Sequence, residues 1–185
     1  CTFNDPSYPG HLKGARVTVA YKGGSPDIPS SRDRVERFAQ EIAGKYGVKI
    51  VPTIKELAEQ VDAIMIESVD GRVHLAQAKA VFPYRKPIFI DKPIAGSLGD
   101  AIELIRLAQE MKVPVFSSSS LRYRTSLDKL RQKSFGEMRG ALSYGPATKE
   151  EHHPDLYWYG VHPTEALYTV MGTGCESVVR TATEN

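Results

Sequence analysis

The chain has 185 residues, 41% hydrophobic and 25% charged, proportions that exclude disordered, collagen-like and membrane-embedded classes. Its formal net charge of +2, with no long basic run, argues against nucleic acid as the main partner. Cys1 and Cys175 form no close-spaced framework, so neither a disulfide scaffold nor a zinc site is indicated, and no metal is expected. No apolar run reaches the roughly 18 residues that a membrane helix needs.

The chain opens Cys1-Thr2-Phe3, with no initiator methionine and no signal-like pattern, which reads as a processed or truncated start. Arg16 to Tyr21 is short and β-branched, hence a strand. Ser30 reads as the N-cap of a helix running through Lys45 and stopped by Gly47. Val48 to Val51 is the next strand, and Thr53 caps a short helix carrying Ile54, Leu57 and Ala58. Ala63 to Ile66 is a continuous apolar run, as expected for a parallel strand covered on both faces. A helix is predicted from Val73 to Val81 and a strand from Pro87 to Asp91. Ser97, with Asp100 three residues on, opens a helix carrying Ile102, Leu104, Ile105 and Ala108, and Val113 to Phe116 closes the series.

Strands and helices alternating at this spacing predict a doubly wound, Rossmann-like parallel sheet of the α/β class. Such sheets bind ligands beyond the carboxyl ends of their strands. Three of these ends carry polar groups: Glu67-Ser68, Asp91-Lys92-Pro93 and Ser117 to Ser120. A strand that merely stops needs only the proline. An acid and a base at the same point suggest a site.

After Ser120 the pattern changes. Leu127 to Gln132 reads as a short helix with Ser126 as N-cap, Met138 to Tyr144 as a strand, and Glu165 to Met171 as a helix ending at Gly172. Between them, Ala147 to Pro163 is polar and aromatic and holds three of the five histidines. A boundary between two domains is expected near 120–122, with residues 1–120 on one side and 121–185 on the other.

One expected motif is missing. A dinucleotide fold usually opens with a strand and a G-x-G-x-x-G turn at a helix N-terminus. Gly172-Thr173-Gly174 follows a helix and is better read as its stop, and Gly23-Gly24 reads as a turn between prolines. The sequence therefore presents the later strands of such a fold without the first, which a truncated chain explains most simply.

Val61-Asp62-Ala63-Ile64-Met65-Ile66, then His74, then Ile88-Phe89-Ile90-Asp91-Lys92-Pro93 and finally Tyr159-Gly160-Val161-His162-Pro163 resembles the Gfo/Idh/MocA family of glucose–fructose oxidoreductases and inositol dehydrogenases. That resemblance implies NAD or NADP as cofactor, a small sugar or polyol as substrate, and a homo-oligomer at full length. It implies that residues 1–120 are a partial nucleotide-binding domain and 121–185 the start of an α+β substrate domain. It implies that Lys92 steadies the reacting oxygen and that His162, with an ordinary pKa of about 6.5, is the base that takes the hydroxyl proton. Asp91 stands where the family has Glu, and Trp158 stands where many members have Asp, which opens an alternative chemistry of transient oxidation at a glycosidic bond, or binding without catalysis. Glu67, Ser68, Asp91, Lys92 and Lys22 are the candidate cofactor contacts. Arg122, Tyr123, Trp158, Tyr159, Lys92 and His162 are the candidate substrate contacts.

Several residues have plainer readings. Lys92 alone would be an exposed lysine beside an acid, and His162 alone a structural histidine near a proline. His74 is expected to pack at its helix start. His152 and His153 match no ligand spacing and read as a solvated loop. Tyr21-Lys22, with Ser30, Ser31 and Arg32, would suit a 2′-phosphate and so NADP. The compartment follows from nothing in the chain: cytoplasmic if no leader precedes it, periplasmic or secreted if one does.

Overall fold

The computed structural model describes residues 2–132 and 136–182. Strand β1 (Val19–Tyr21) leads through helix α1 (Pro29–Tyr46) to β2 (Lys49–Val51), its parallel neighbour. Helix α2 (Ile54–Glu59) then leads to β3 (Ile64–Ile66), α3 (His74–Val81) to β4 (Ile88–Ile90), and α4 (Leu98–Glu110) to β5 (Val115–Ser117). These last three strands form a second parallel sheet in the order β3-β4-β5. Among the described residues no strand pairing joins the sheet β1-β2 to the sheet β3-β4-β5.

Local chemistry fixes most element ends. Thr53 accepts a hydrogen bond from the Glu56 amide and Ser97 one from the Asp100 amide, each satisfying an amide that the first helical turn leaves unpaired. Gly47 ends α1 at φ 66°, a left-handed conformation that glycine adopts without penalty, and its amide bonds the Ala43 carbonyl. The start of α1 corrects the sequence reading. The helix begins at Pro29 with Ile28 as N-cap and no side-chain cap, because proline's fixed φ preorganises the first turn. Ser31, not Ser30, makes the nearby polar bond, accepting from the Ser25 amide at 2.9 Å.

The core lies between the second sheet and its helices. Ile64, Ile66, Ile88 and Ile90 meet Ala58, Ala78, Val81, Phe82, Leu104, Ala108 and Val113. Each large apolar side chain buried there contributes about 1.5–3 kcal/mol. The expectation of burial on both faces is corrected for β3, since Met65 keeps 48% of its surface exposed, and in β5 Phe116 keeps 60%. The helices cover one face, and the alternate residues point the other way, so these strands alternate where a fully covered strand would not.

Other differences lie in the carboxyl-terminal third. Met138 to Tyr144 is not a strand and has no regular secondary structure; Leu142 and Tyr144 are about nine-tenths exposed (89% and 90%), so among the described residues no strand or core holds the segment extended. Helix α5 (Thr125–Arg131) starts two residues before the expected first residue, with Arg124 rather than Ser126 as N-cap. Helix α6 (Val161–Met171) starts four residues before Glu165, and Pro163 fits because first-turn amides lack intrahelical partners anyway. Among the described residues no helix is long and apolar enough to cross a membrane.

A polar knot joins these parts. Asp70, at the start of the turn Gly71–Val73, is 1% exposed. It accepts from Ser25 in the loop after β1, from the Arg72 amide, and from the Arg72 guanidinium at 2.9–3.1 Å. Burial favours its neutral form, but those bonds outweigh burial and hold its carboxyl below the ordinary value. Arg72 also reaches Asp27 at 2.9 Å. His153 enters the same knot, with Nε2 accepting from the Gly71 amide at 3.3 Å. That overturns the solvated-loop reading, since the ring is buried and packs against Trp158 at 5.1 Å between centroids. Burial pushes its pKa down, in keeping with a ring that accepts a hydrogen bond.

Candidate active site

The parallel register places three strand ends side by side. Ile66 is opposite Ile90, and Ile90 opposite Ser117, so Glu67, Asp91 and Ser118 leave the sheet at one edge. Bonding continues one residue past the strands, where the Asp91 amide donates to the Ile66 carbonyl at 2.9 Å. His74, fully buried at the start of α3, sits between two of these exits, its Nε2 2.7 Å from the Ser68 carbonyl and its Nδ1 2.9 Å from the Pro93 carbonyl. The Lys92–Pro93 peptide is cis. Close packing completes the turn: a Cβ at Gly71 would come within 2.8 Å of Pro93 Cγ, and one at Gly96 within 2.9 Å of Arg72 Cα.

The charged groups follow from this frame. Lys92 Nζ lies 5.6 Å from the Tyr159 ring centroid and 6.0 Å from that of Trp158, within reach of cation–π attraction. Tyr159 in turn stands edge-on to His162, 5.5 Å between centroids. Burial lowers the His162 pKa, the Lys92 charge lowers it further, and Asp91 and Glu165 oppose both. Glu67 keeps an exposed face, yet its carboxyl sits in a recess beside Asp91. Loss of water there, with the neighbouring negative charge second, pushes its pKa up to about 7. The sequence thus assembles Glu67, Asp91, Lys92 and His162 at one rim from three separate segments.

The face of α6 that holds His162 is fixed by its own contacts. Glu165, one turn on, accepts from Arg122 Nε at 2.6 Å and from the Ser119 amide. Ser119 Oγ lies 2.7 Å from His162 Nδ1 and also accepts from the Leu121 amide at 3.2 Å. A cavity of about 660 Å³ opens beside the imidazole, lined by His162, Pro163, Ser120, Leu121, Arg124 and Tyr144 among others. Lys92 is not part of that lining; it reaches the region from across Tyr159.

The other candidates fall elsewhere. Arg122 is engaged by Glu165 and props α6 against the turn Ser120–Tyr123. Tyr123 is 61% exposed. Ser68 exchanges hydrogen bonds with Gln77, and Lys22 pairs with Glu36 of α1 at 2.9 Å on the surface. Sequence reasoning placed Ser119 only within the polar strand end Ser117 to Ser120, and it missed the roles of Glu165, Asp70 and His153. Only the Glu165 spacing, three residues after His162 on a helix, offered a signal.

The family model for oxidoreductases of the Gfo/Idh/MocA type, described as an NAD-binding Rossmann fold, matches residues 30–119. Over those residues, just under half of the chain, it is similar to this family. Inositol 2-dehydrogenase 2 of Mycolicibacterium vanbaalenii is 25% identical over 111 residues, which make up 58% of this chain and 32% of that protein. Among solved structures, GenD2 from gentamicin A biosynthesis, in complex with NAD, superposes with a TM-score of 0.62 at 17% identity, covering 87% of this chain and 56% of that one. An NAD-binding protein from Listeria innocua gives 0.54 at 21% identity, covering 69% and 42%. At these identities the structural likeness establishes the Rossmann-like fold. The chain spans about a third of the length of the curated relative, 32%.

Proposed function

We propose that this chain supplies the strand-end rim and the first part of the substrate side of an NAD(P)-dependent dehydrogenase acting on a CH–OH group of a sugar or polyol. The observation that carries the reading is the convergence of Lys92 and His162 on either side of Tyr159, beyond the carboxyl ends of parallel strands. His162, whose pKa is lowered by burial and then by the Lys92 charge, takes the hydroxyl proton. The Lys92 ammonium stabilises the negative charge that grows on the same oxygen. Residues 121–185 begin the substrate domain in this reading, with Trp158 and Tyr159 forming an aromatic wall suited to a sugar face.

The cofactor fits only in part. Glu67, Ser68 and Asp91 lie where a nicotinamide and its ribose would meet the rim, and Lys22 follows β1, where an adenosine ribose or its phosphate would lie. When bound, the nicotinamide supplies the hydride acceptor. No glycine-rich turn at a helix N-terminus follows a strand among the described residues, so the pyrophosphate has no cradle here. The 185-residue chain is expected to bind NAD weakly or not at all by calorimetry, and micromolar affinity would contradict this. Lys22, Ser30, Ser31 and Arg32 would suit a 2′-phosphate, so NADP as well as NAD is an expected cofactor of the protein at the length of its relatives; tight binding of NAD alone would refute this.

One observation favours a second reading. Trp158 occupies the place where many members of the family carry Asp, and it stacks near the buried His153 instead of offering a carboxylate. Cleavage of a glycosidic bond through transient oxidation is compatible with that change. A panel of sugars, polyols and glycosides separates the readings: net cofactor reduction supports a dehydrogenase, and release of a glycone without net reduction supports the other. Neither product with any compound leaves a binding protein of this fold.

A further inference from the structure

We propose that Ser119 is a positioning residue for His162, holding the imidazole by its Nδ1 edge so that Nε2 is the nitrogen turned toward the cavity. This rests on the reading of His162 as the base. Ser119 is fully buried, 0% exposed, and its Oγ is 2.7 Å from Nδ1, a short distance for such a bond. The hydroxyl is itself fixed on two sides. Its amide donates to Glu165, and its oxygen caps the turn Ser120–Tyr123 by accepting from the Leu121 amide.

Glu165 and His162 share one face of α6, so a single helix face carries both the ring and the carboxylate that anchors the serine. Rotation of the imidazole would break the Nδ1 contact and leave the buried hydroxyl without that partner. A carboxylate at this point would accept only and would favour the charged ring. A hydroxyl can accept from Nδ1–H or donate to a bare Nδ1, so it holds the ring through a change of protonation without imposing a charge.

Nitrogen NMR of the 185-residue chain with labelled histidine tests this without substrate or cofactor. In the unaltered chain the Nδ1 resonance of His162 is expected to be insulated from solvent while Nε2 responds to it; the reverse overturns the proposal. Ser119→Ala is expected to move the Nδ1 resonance more than Nε2, and Ser119→Thr, which keeps the hydroxyl, to restore it. An unmoved Nδ1 in the folded alanine variant overturns the proposal as well. In the protein at the length of its relatives, Ser119→Ala is expected to lower kcat on the order of tenfold with little change in KM, and Ser119→Thr to recover it; a loss confined to KM refutes it. Absence of turnover in the unaltered protein would defeat the dehydrogenase reading alone, and the resonances would still decide the role of Ser119.

Discussion

Replacing Gly71 by alanine probes the contact that seats the Lys92–Pro93 turn. An added Cβ would stand 2.8 Å from Pro93 Cγ and 2.9 Å from the carbonyl carbon and oxygen of Ala95. Comfortable carbon contacts begin near about 3.5 Å, so roughly 0.7 Å has to be found by moving backbone on one side or the other. The Gly71 side is held by the Asp70–Arg72 bonds and by His153, and the Pro93 side by His74, so neither yields freely. Overpacking of this kind costs about 1–3 kcal/mol, which for a chain of this size lowers Tm by about 2–4 °C per kcal/mol. Gly44→Ala is the matched control: it lies in α1, exposed, with nothing within 4 Å of the new Cβ, and should stabilise by about 0.5–1 kcal/mol. Thermal unfolding followed by circular dichroism reads both. A Gly71→Ala variant within about 0.5 kcal/mol of the unaltered chain would refute the argument that this approach is tight.

Leu104→Ala, at a fully buried position of the core cluster, should cost about 2–5 kcal/mol in urea unfolding; a loss under about 1 kcal/mol would show that the helix face is not packed as described. Asp70→Asn removes a buried carboxylate that accepts from Ser25 and from the partly exposed Arg72 and should cost about 1–3 kcal/mol, and an unchanged urea midpoint would count against the polar knot. Glu67 gives a pH test with a definite sign. Its folded pKa, about 7, lies above the ordinary 4.5, so between those values the folded state binds more protons than the unfolded state and stability falls as pH rises. The full shift would be worth about 3 kcal/mol, and the exposed face of the residue reduces this to about 1 kcal/mol. Glu67→Gln should therefore gain stability relative to the unaltered chain between pH 4.5 and 7; a difference that does not change across that window would contradict the recess.

The alternating elements were legible because the chain punctuates them with local signals that the structure uses directly: Thr53 and Ser97 as caps, Gly47 as a stop, and short apolar runs as strands. The convergence of strand ends followed from parallel pairing alone, which places Glu67 and Asp91 on one edge whatever their chemistry. Residues from beyond Ser120 were harder to read because long-range contacts place them. Ser119 meets His162 across 43 residues, and His153 meets Gly71 across 82, and no local periodicity encodes either. Met138 to Tyr144 misled for a related reason: β propensity expresses itself only against a neighbouring strand or a core, and among the described residues that segment has neither. Of the two wrong caps, Ser30 shows that a proline at the first helical position can fix a helix start without the nearby serine.

The central claim is that Lys92 and His162 act on one hydroxyl. The direct measurement is nicotinamide reduction by the protein at the length of its relatives, across a panel of sugars and polyols, with Lys92→Met and His162→Gln compared with the unaltered protein. Each substitution should lower turnover by about a hundredfold or more while leaving cofactor affinity within a fewfold. Turnover retained in either variant would show that the rim binds without carrying the chemistry assigned to it.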